Sequence, residues 1–221
     1  MASSSVMYIS LLMIVTSFLM VEWRQLTGAI YTYQAQSVLI ALTFALYAHS
    51  LHNPALYFWA VTALVSKGIL VPWLLRRYVD KVHPVESEPM LNPILSQVIG
   101  FTVVTVVFWW VFTNHDRLVV LPSLAGEPYR MNLAVAAAIL VIGFYSLLTR
   151  RDAFKVAIGL CLLENAIHLS LVSLAPSIPE TAMIGVVTDV VISVWLLLYI
   201  IANVYRVTGS VDTFNLRNLR G

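Results

Sequence analysis

Seven apolar runs, at about 5–22, 29–49, 56–75, 94–112, 131–149, 153–174 and 181–205, constrain this chain more than any other feature. A helix needs about 20 predominantly apolar residues to cross the ~30 Å hydrocarbon layer of a bilayer, and each run is of that order. Backbone inside lipid satisfies its own hydrogen bonds only as a helix or a closed barrel. Long apolar runs without alternation select the helix. The chain is 60% hydrophobic and 11% charged, whereas a soluble domain is about 45–50% apolar and about 25% charged. The expected fold is therefore an all-α integral membrane protein of about seven transmembrane helices.

The segments between the runs set the connectivity and the orientation. Arg76 to Pro89 and Asn114 to Arg130 carry prolines and mixed charges and are read as exposed loops. Thr149-Arg150-Arg151-Asp152 is so short that the runs on either side of it form a tight antiparallel pair. The first run ends at Glu22-Trp23-Arg24, an interfacial anchor. Met1 to Ser5 lack the basic region of a secretory signal, so the run is read as a retained helix. Arg24, Arg76, Arg77, Lys81, Arg150, Arg151, Lys155, Arg206, Arg217 and Arg220 fall on one side of the membrane. Arg117 and Arg130 alone fall on the other. The positive-inside bias places the N-terminus outside and the C-terminus in the cytoplasm. That arrangement requires an odd number of spans.

Three side chains that can carry charge lie within the spans, namely Lys67, Glu164 and Asp189. At ~1.5 Å rise per residue, Lys67 and Glu164 lie ~16 Å from one end of their spans and Asp189 ~12 Å, so all three fall near the midplane. A single ionised residue there costs about 2.5–3.5 kcal/mol on insertion scales. Such residues pair with one another or line a hydrated path. Glu164 and His168 are four apart and share a helix face, and histidine is a natural relay because its ordinary pKa is near 6.5. Two readings stay open for this layer. It can pin helices together, or Lys67, Glu164, His168 and Asp189 can form a proton pathway. Tyr33, Gln34, Gln36 and Ser37 form a polar cluster early in the second span that reads as interhelical hydrogen bonding. Asn165 sits beside Glu164, and Cys161 reads as a small packing residue. Pro72 kinks the third span and frees a carbonyl near Lys67.

Several chemistries are excluded. With one cysteine there is no internal disulfide and no CxxC metal site. Of the histidines only His168 lies mid-span, so a bis-histidine haem between helices has no support. Glu164-x-x-x-His168 is not the zinc-protease motif, and no P-loop or Gly-rich nucleotide fingerprint occurs. The basic residues sit at helix ends and form no nucleic-acid patch. The chain holds no evident catalytic centre, so a drive must come from an ion gradient or another subunit.

Residues 150–172 combine a paired-arginine entry, Ile158-Gly159-Leu160 and Asn165-Ala166. This stretch resembles the second helix of the K subunit of respiratory complex I. Thr188-Asp189 before an apolar run resembles that subunit's third helix, where the family has a glutamate, and Asp212 to Leu219 resembles its tail. The whole chain resembles the component E family of hydrogenase-4 and related formate hydrogenlyases, in which a K-like unit is extended by N-terminal helices. Tyr33-Gln34-Ala35-Gln36-Ser37, Ser66-Lys67 through Pro72, Leu163-Glu164-Asn165 and Asp189 carry that likeness. In an ungapped comparison the K subunit's helix-two glutamate falls on Cys161, and the carboxylate here is Glu164, one turn later on the same face.

The resemblance implies a four-helix extension over 1–130 and a K-like three-helix unit over 131–221. It implies a non-redox subunit of an energy-converting complex in a bacterial or archaeal plasma membrane, coupling redox chemistry to proton or sodium translocation through Lys67, Glu164, His168 and Asp189. Gln34, Gln36, Asn165 and Cys161 would support that path. Its partners would be antiporter-like subunits and a membrane-foot subunit of the redox arm. Any nickel–iron or iron–sulfur centres would belong to partners and not to this chain. The alternatives are a free-standing ion or solute transporter and a passive membrane scaffold.

Overall fold

A computed structural model describes residues 2–82, 92–119, 126–176 and 179–213. Helix α1 is Ala2–Glu22, α2 Leu26–Leu51 and α3 Pro54–Val82; α4 is Pro93–Thr113, α5 Glu127–Thr149, α6 Ala153–Leu174 and α7 Glu180–Thr208. A single helical turn, His115–Leu118, follows α4. Six of the seven helices are long and apolar enough to cross a membrane, and α1 contributes a shorter apolar stretch, Val6–Glu22. The all-α fold of about seven membrane helices therefore holds. Among the described residues there is no strand, only an isolated bridge between Asp152 and Asp212.

The helix ends follow local chemistry. His52, in the left-handed region at φ 51°, closes α2. Asn53 then opens α3, its side chain accepting from the Ala55 N–H, with Pro54 in the first turn where no N–H is needed. Asn92 caps α4 and Asp152 caps α6 in the same manner. Gly209, at φ 68°, ends α7.

Two loop assignments are corrected. The segment from Arg76 is not a loop at its start, because α3 runs without a break to Val82. Its final turns are amphipathic, with Leu74, Leu75 and Val82 buried while Trp73 and Arg77 are exposed, and that packing keeps them helical. With 29 residues, at ~1.5 Å each, α3 exceeds the ~30 Å hydrocarbon layer, so the helix projects beyond it. The second loop is likewise shortened, since α5 begins at Glu127 with Gly126 before it and Pro128 in its first turn. The rest of the first loop (83–91) and of the tail (214–221) lies outside the described residues.

The tight pairing of α5 with α6 is as expected. These two helices share the most extensive contact in the bundle, and Gly143 lets them approach closely. A Cβ there would come within 2.7 Å of Leu163 Cδ2 and 3.1 Å of the Leu163 backbone nitrogen. Helix α1 packs on α2 and α5, and α2 packs on α3 and α6. The N-terminal helices and the 131–213 segment thus share one apolar core. Helices α4 and α7 are outermost, 22% buried along their spans against 61% for α6. Each leaves a broad apolar face for lipid or another subunit. Trp23, Trp109 and Trp110 are exposed at helix ends, as interfacial belt residues are, and Trp73 is exposed within α3.

A buried ion pair at the centre of the bundle

Helices α2, α3 and α6 converge on Lys67. Its side chain is 1% exposed, so no water shell offsets the charge. Lys67 sits in the middle of Leu64–Leu70, where α3 widens into a π-helical stretch. Its ammonium has three N–H donors and meets three acceptors. Nζ lies 2.9 Å from Glu164 Oε1, 3.1 Å from Asn165 Oδ1 and 2.6 Å from His168 Nδ1. All three partners come from one buried face of α6, with Glu164 and His168 one turn apart as their spacing requires.

The surroundings extend the network in one direction and leave it open in another. Asn165 Nδ2 donates to Gln36 Oε1 (3.2 Å), and Gln36 Nε2 donates to Ser17 Oγ on α1 (2.6 Å). The Tyr33 hydroxyl and the Cys161 thiol lie close to Glu164. Glu164 is in ion-pair range of Lys67 and of His168 Nδ1 (3.1 Å), yet neither carboxylate oxygen receives a hydrogen bond of good geometry. His168 Nε2 and Tyr33 Oη are also buried without a protein partner. With Nδ1 accepting from the ammonium, the neutral imidazole carries its proton on Nε2. Movement of a proton from Lys67 Nζ to His168 Nδ1 would make an imidazolium able to release another from Nε2. The arrangement thus supplies a donor on α3 and, one turn apart on α6, a relay and a counter-charge.

Gln34 faces a different group from the one its sequence neighbours suggest. Its Nε2 donates to the Gly68 carbonyl (2.9 Å) and its Oε1 accepts from Arg76 Nη2 (2.9 Å). Gly68 is the residue four before Pro72, which has no N–H to return to it, so a carbonyl beside Lys67 is freed as the proline indicates.

The structure brings together Lys67, Glu164, His168, Asn165, Gln36 and Cys161, and ties in Gln34 through Gly68. It does not bring Asp189 to them. Asp189 lies exposed on α7, and none of the described hydrogen bonds or ion pairs includes it. The direction in which α7 turns that face was not readable from the sequence.

Two features escaped the sequence reading. Ser17 ends the Gln36 chain, and a second buried cluster joins Ser10, Asn132 and Ser173. Ser10 Oγ donates to Asn132 Oδ1 (3.1 Å), and Asn132 Nδ2 donates to Ser173 Oγ (2.6 Å) and to the Leu169 carbonyl (3.0 Å). The available clue was the i, i+7 repeat of Ser10 and Ser17 on α1, which puts both on one face. Among the described residues no group of His, Cys, Asp and Glu could hold a metal ion.

A seven-helix membrane bundle with a lysine–carboxylate–histidine centre defines a polytopic membrane protein with an intramembrane ionisable site. Comparison with known proteins narrows this class. Residues 131–221 match the family model for NADH-ubiquinone/plastoquinone oxidoreductase chain 4L. The chain is 26% identical over 212 residues to hydrogenase-4 component E of Escherichia coli strain K12, covering 95% of this chain and 94% of that protein. Hydrogenase-4 component E of Shigella flexneri matches to the same extent. An uncharacterized protein of Mycobacterium tuberculosis is 24% identical over 173 residues, 76% of this chain and 74% of that protein. No solved structure matches the chain significantly. Over nearly its whole length the chain is similar to hydrogenase-4 component E, and over residues 131–221 to chain 4L.

Proposed function

We propose that this protein is a non-redox membrane subunit of a complex I-like, energy-converting complex, and that its Lys67–Glu164–His168 centre couples redox chemistry to ion translocation. The observation that carries the reading is the ammonium of Lys67 shared between Glu164, Asn165 and His168 in the middle of two membrane helices. The likeness of the whole chain to hydrogenase-4 component E, and of residues 131–221 to chain 4L, supports the assignment to such a complex. In this reading residues 1–130 are an extension attached to a K-like unit.

The mechanism follows from the chain's own groups. Protonation of Glu164 removes the counter-charge at Lys67, which answers by shifting its proton toward His168 Nδ1; deprotonation of Glu164 draws that proton back. Strongly interacting sites titrate as a unit, so a proton arriving at one member changes what its neighbours hold. His168 Nε2 and the second oxygen of Glu164, both buried and unpartnered, are the points at which the centre exchanges protons with its surroundings. Asp189, exposed on α7, joins this path through a neighbouring subunit. The positive-inside bias supports an outside N-terminus and a cytoplasmic C-terminus, in the plasma membrane of a bacterium or archaeon. Nickel–iron and iron–sulfur chemistry belongs to partner subunits, and antiporter-like subunits and a membrane foot of the redox arm are the proposed neighbours.

Two measurements test this. Gentle-detergent purification of the tagged chain from native membranes should recover antiporter-like and redox-arm subunits; a chain that comes out alone and monodisperse favours a free-standing transporter. Within an isolated complex, Glu164→Gln should abolish ion translocation while redox turnover and assembly persist. Unchanged translocation in that variant would reduce the centre to a structural pin.

A further inference from the structure

We infer that Gln34 is a positioning residue for Lys67, a clamp across Pro72 that holds the π-helical turn in which the lysine stands. The inference rests on the coupling role proposed above and adds the element that sets the lysine's place. A π-helical stretch is rare and is frequently found at functional sites. It persists where something outside the helix fixes the widened backbone. Here Pro72 removes the N–H that an α-helix would return to the Gly68 carbonyl. Gln34, one helix away, supplies a side-chain donor to that carbonyl at 2.9 Å. The same amide accepts from Arg76 Nη2 at 2.9 Å, and the Arg76 guanidinium stacks 4.1 Å above the Tyr31 ring. One side chain on α2 therefore grips α3 on both sides of the proline, a turn before it and a turn after it.

Lys67 is the residue next to the gripped carbonyl, so the clamp acts on its backbone rather than on its ammonium. If the stretch returned to α register it would take up one residue of winding and rotate the adjoining helix by up to about 100°. Lys67 could not then keep its three partners on α6. Glu164 would be left facing His168, Cys161 and Tyr33 with no ammonium beside it. Gln34 thus governs whether Glu164 has its counter-charge without touching either group.

The test reads the exposure and protonation of the carboxyl directly. Native membranes containing the assembled complex are treated at fixed pH with dicyclohexylcarbodiimide, which modifies protonated carboxyls in apolar surroundings, and the rate at Glu164 is followed by mass spectrometry. Lys67→Met is the reference for a lost counter-charge, and Asp152, buried at the start of α6, is the control for general loosening. Gln34→Met should raise the rate at Glu164 severalfold toward the Lys67→Met rate, leave Asp152 unchanged, and lower coupled translocation. Labelling of Glu164 at the wild-type rate in Gln34→Met, with Lys67→Met fast, overturns the clamp and leaves the coupling centre intact. Equal acceleration at Asp152 also overturns it, because the amide is then only a packing element. If Lys67→Met itself labels like wild type, the coupling centre fails first and the clamp with it. Should Gln34→Met not assemble, Gln34→Glu serves in its place, because its carboxylate still accepts from Arg76 but cannot donate to Gly68. It should again label fast, and a wild-type rate there refutes the clamp.

Discussion

Removing one member of the central pair, Lys67 or Glu164, leaves the other as a lone charge among apolar helices. At 2.9 Å and an effective dielectric constant of about 20, the gross attraction is ~6 kcal/mol. Desolvation of the two ions, several kcal/mol each, offsets most or all of it. The intact pair is therefore close to neutral for stability, but half of it is not. In Lys67→Met the stranded carboxylate escapes by taking a proton, which costs about 3.7 kcal/mol at pH 7 for a carboxyl of ordinary pKa ~4.3. In Glu164→Gln the stranded ammonium escapes by losing one, which costs about 4.6 kcal/mol at pH 7 from an ordinary ~10.4. These are upper limits, since residual hydration or His168 can compensate more cheaply.

The signs of the pH dependence are opposite. The Lys67→Met penalty falls by about 1.4 kcal/mol for each unit the pH is lowered, and the Glu164→Gln penalty falls by the same amount for each unit it is raised. Lys67→Met/Glu164→Gln should cost less than either single variant. The assay is reversible unfolding of the full chain in bilayer discs by steric trapping, at pH 6, 7 and 8. Single-variant penalties below ~1 kcal/mol, as for an exposed pair, or penalties flat in pH, would refute the buried, ionised pair.

Other variants test the frame around the site. Gly143→Val should separate α5 from α6, because its Cβ meets Leu163 side chain and backbone; a loss of at least ~1–3 kcal/mol is expected on unfolding, and unchanged stability would contradict the contact. Asn132→Leu removes the acceptor of Ser10 Oγ and leaves Ser173 Oγ and the Leu169 carbonyl only their mutual 3.3 Å bond, and about 1–3 kcal/mol should be lost in the same assay. Asp152 is held with its carboxyl above the usual range by burial, against the opposing Phe154 and Lys155 N–H bonds and the Lys155 charge. A group raised by folding stabilises below its unfolded pKa, and that contribution disappears as the pH rises through the folded one. Asp152→Asn retains a helix cap, so it should flatten the acid side of the stability profile and raise relative stability at neutral pH. Melting curves from pH 4 to 8 that parallel wild type would contradict this.

Seven helices, most of their approximate ends (that of α3 excepted) and the close α5–α6 pair were legible in the sequence because lipid imposes them one segment at a time. Apolar length fixes a span, and a four-residue turn leaves its flanking helices no choice but to pack. That Lys67 and Glu164 fall at one level was legible for the same reason, since rise per residue is fixed. Azimuth is not local. Only the packed bundle decided that Lys67 turns toward α6 while Asp189 points outward from α7, because rotation about a helix axis is set by what the neighbours can accept. The π-helical turn depends on Gln34, 33 positions before Lys67, meeting the carbonyl that Pro72 leaves unpaired. A proline announces a missing bond in the sequence, but only tertiary structure brings the side chain that replaces it.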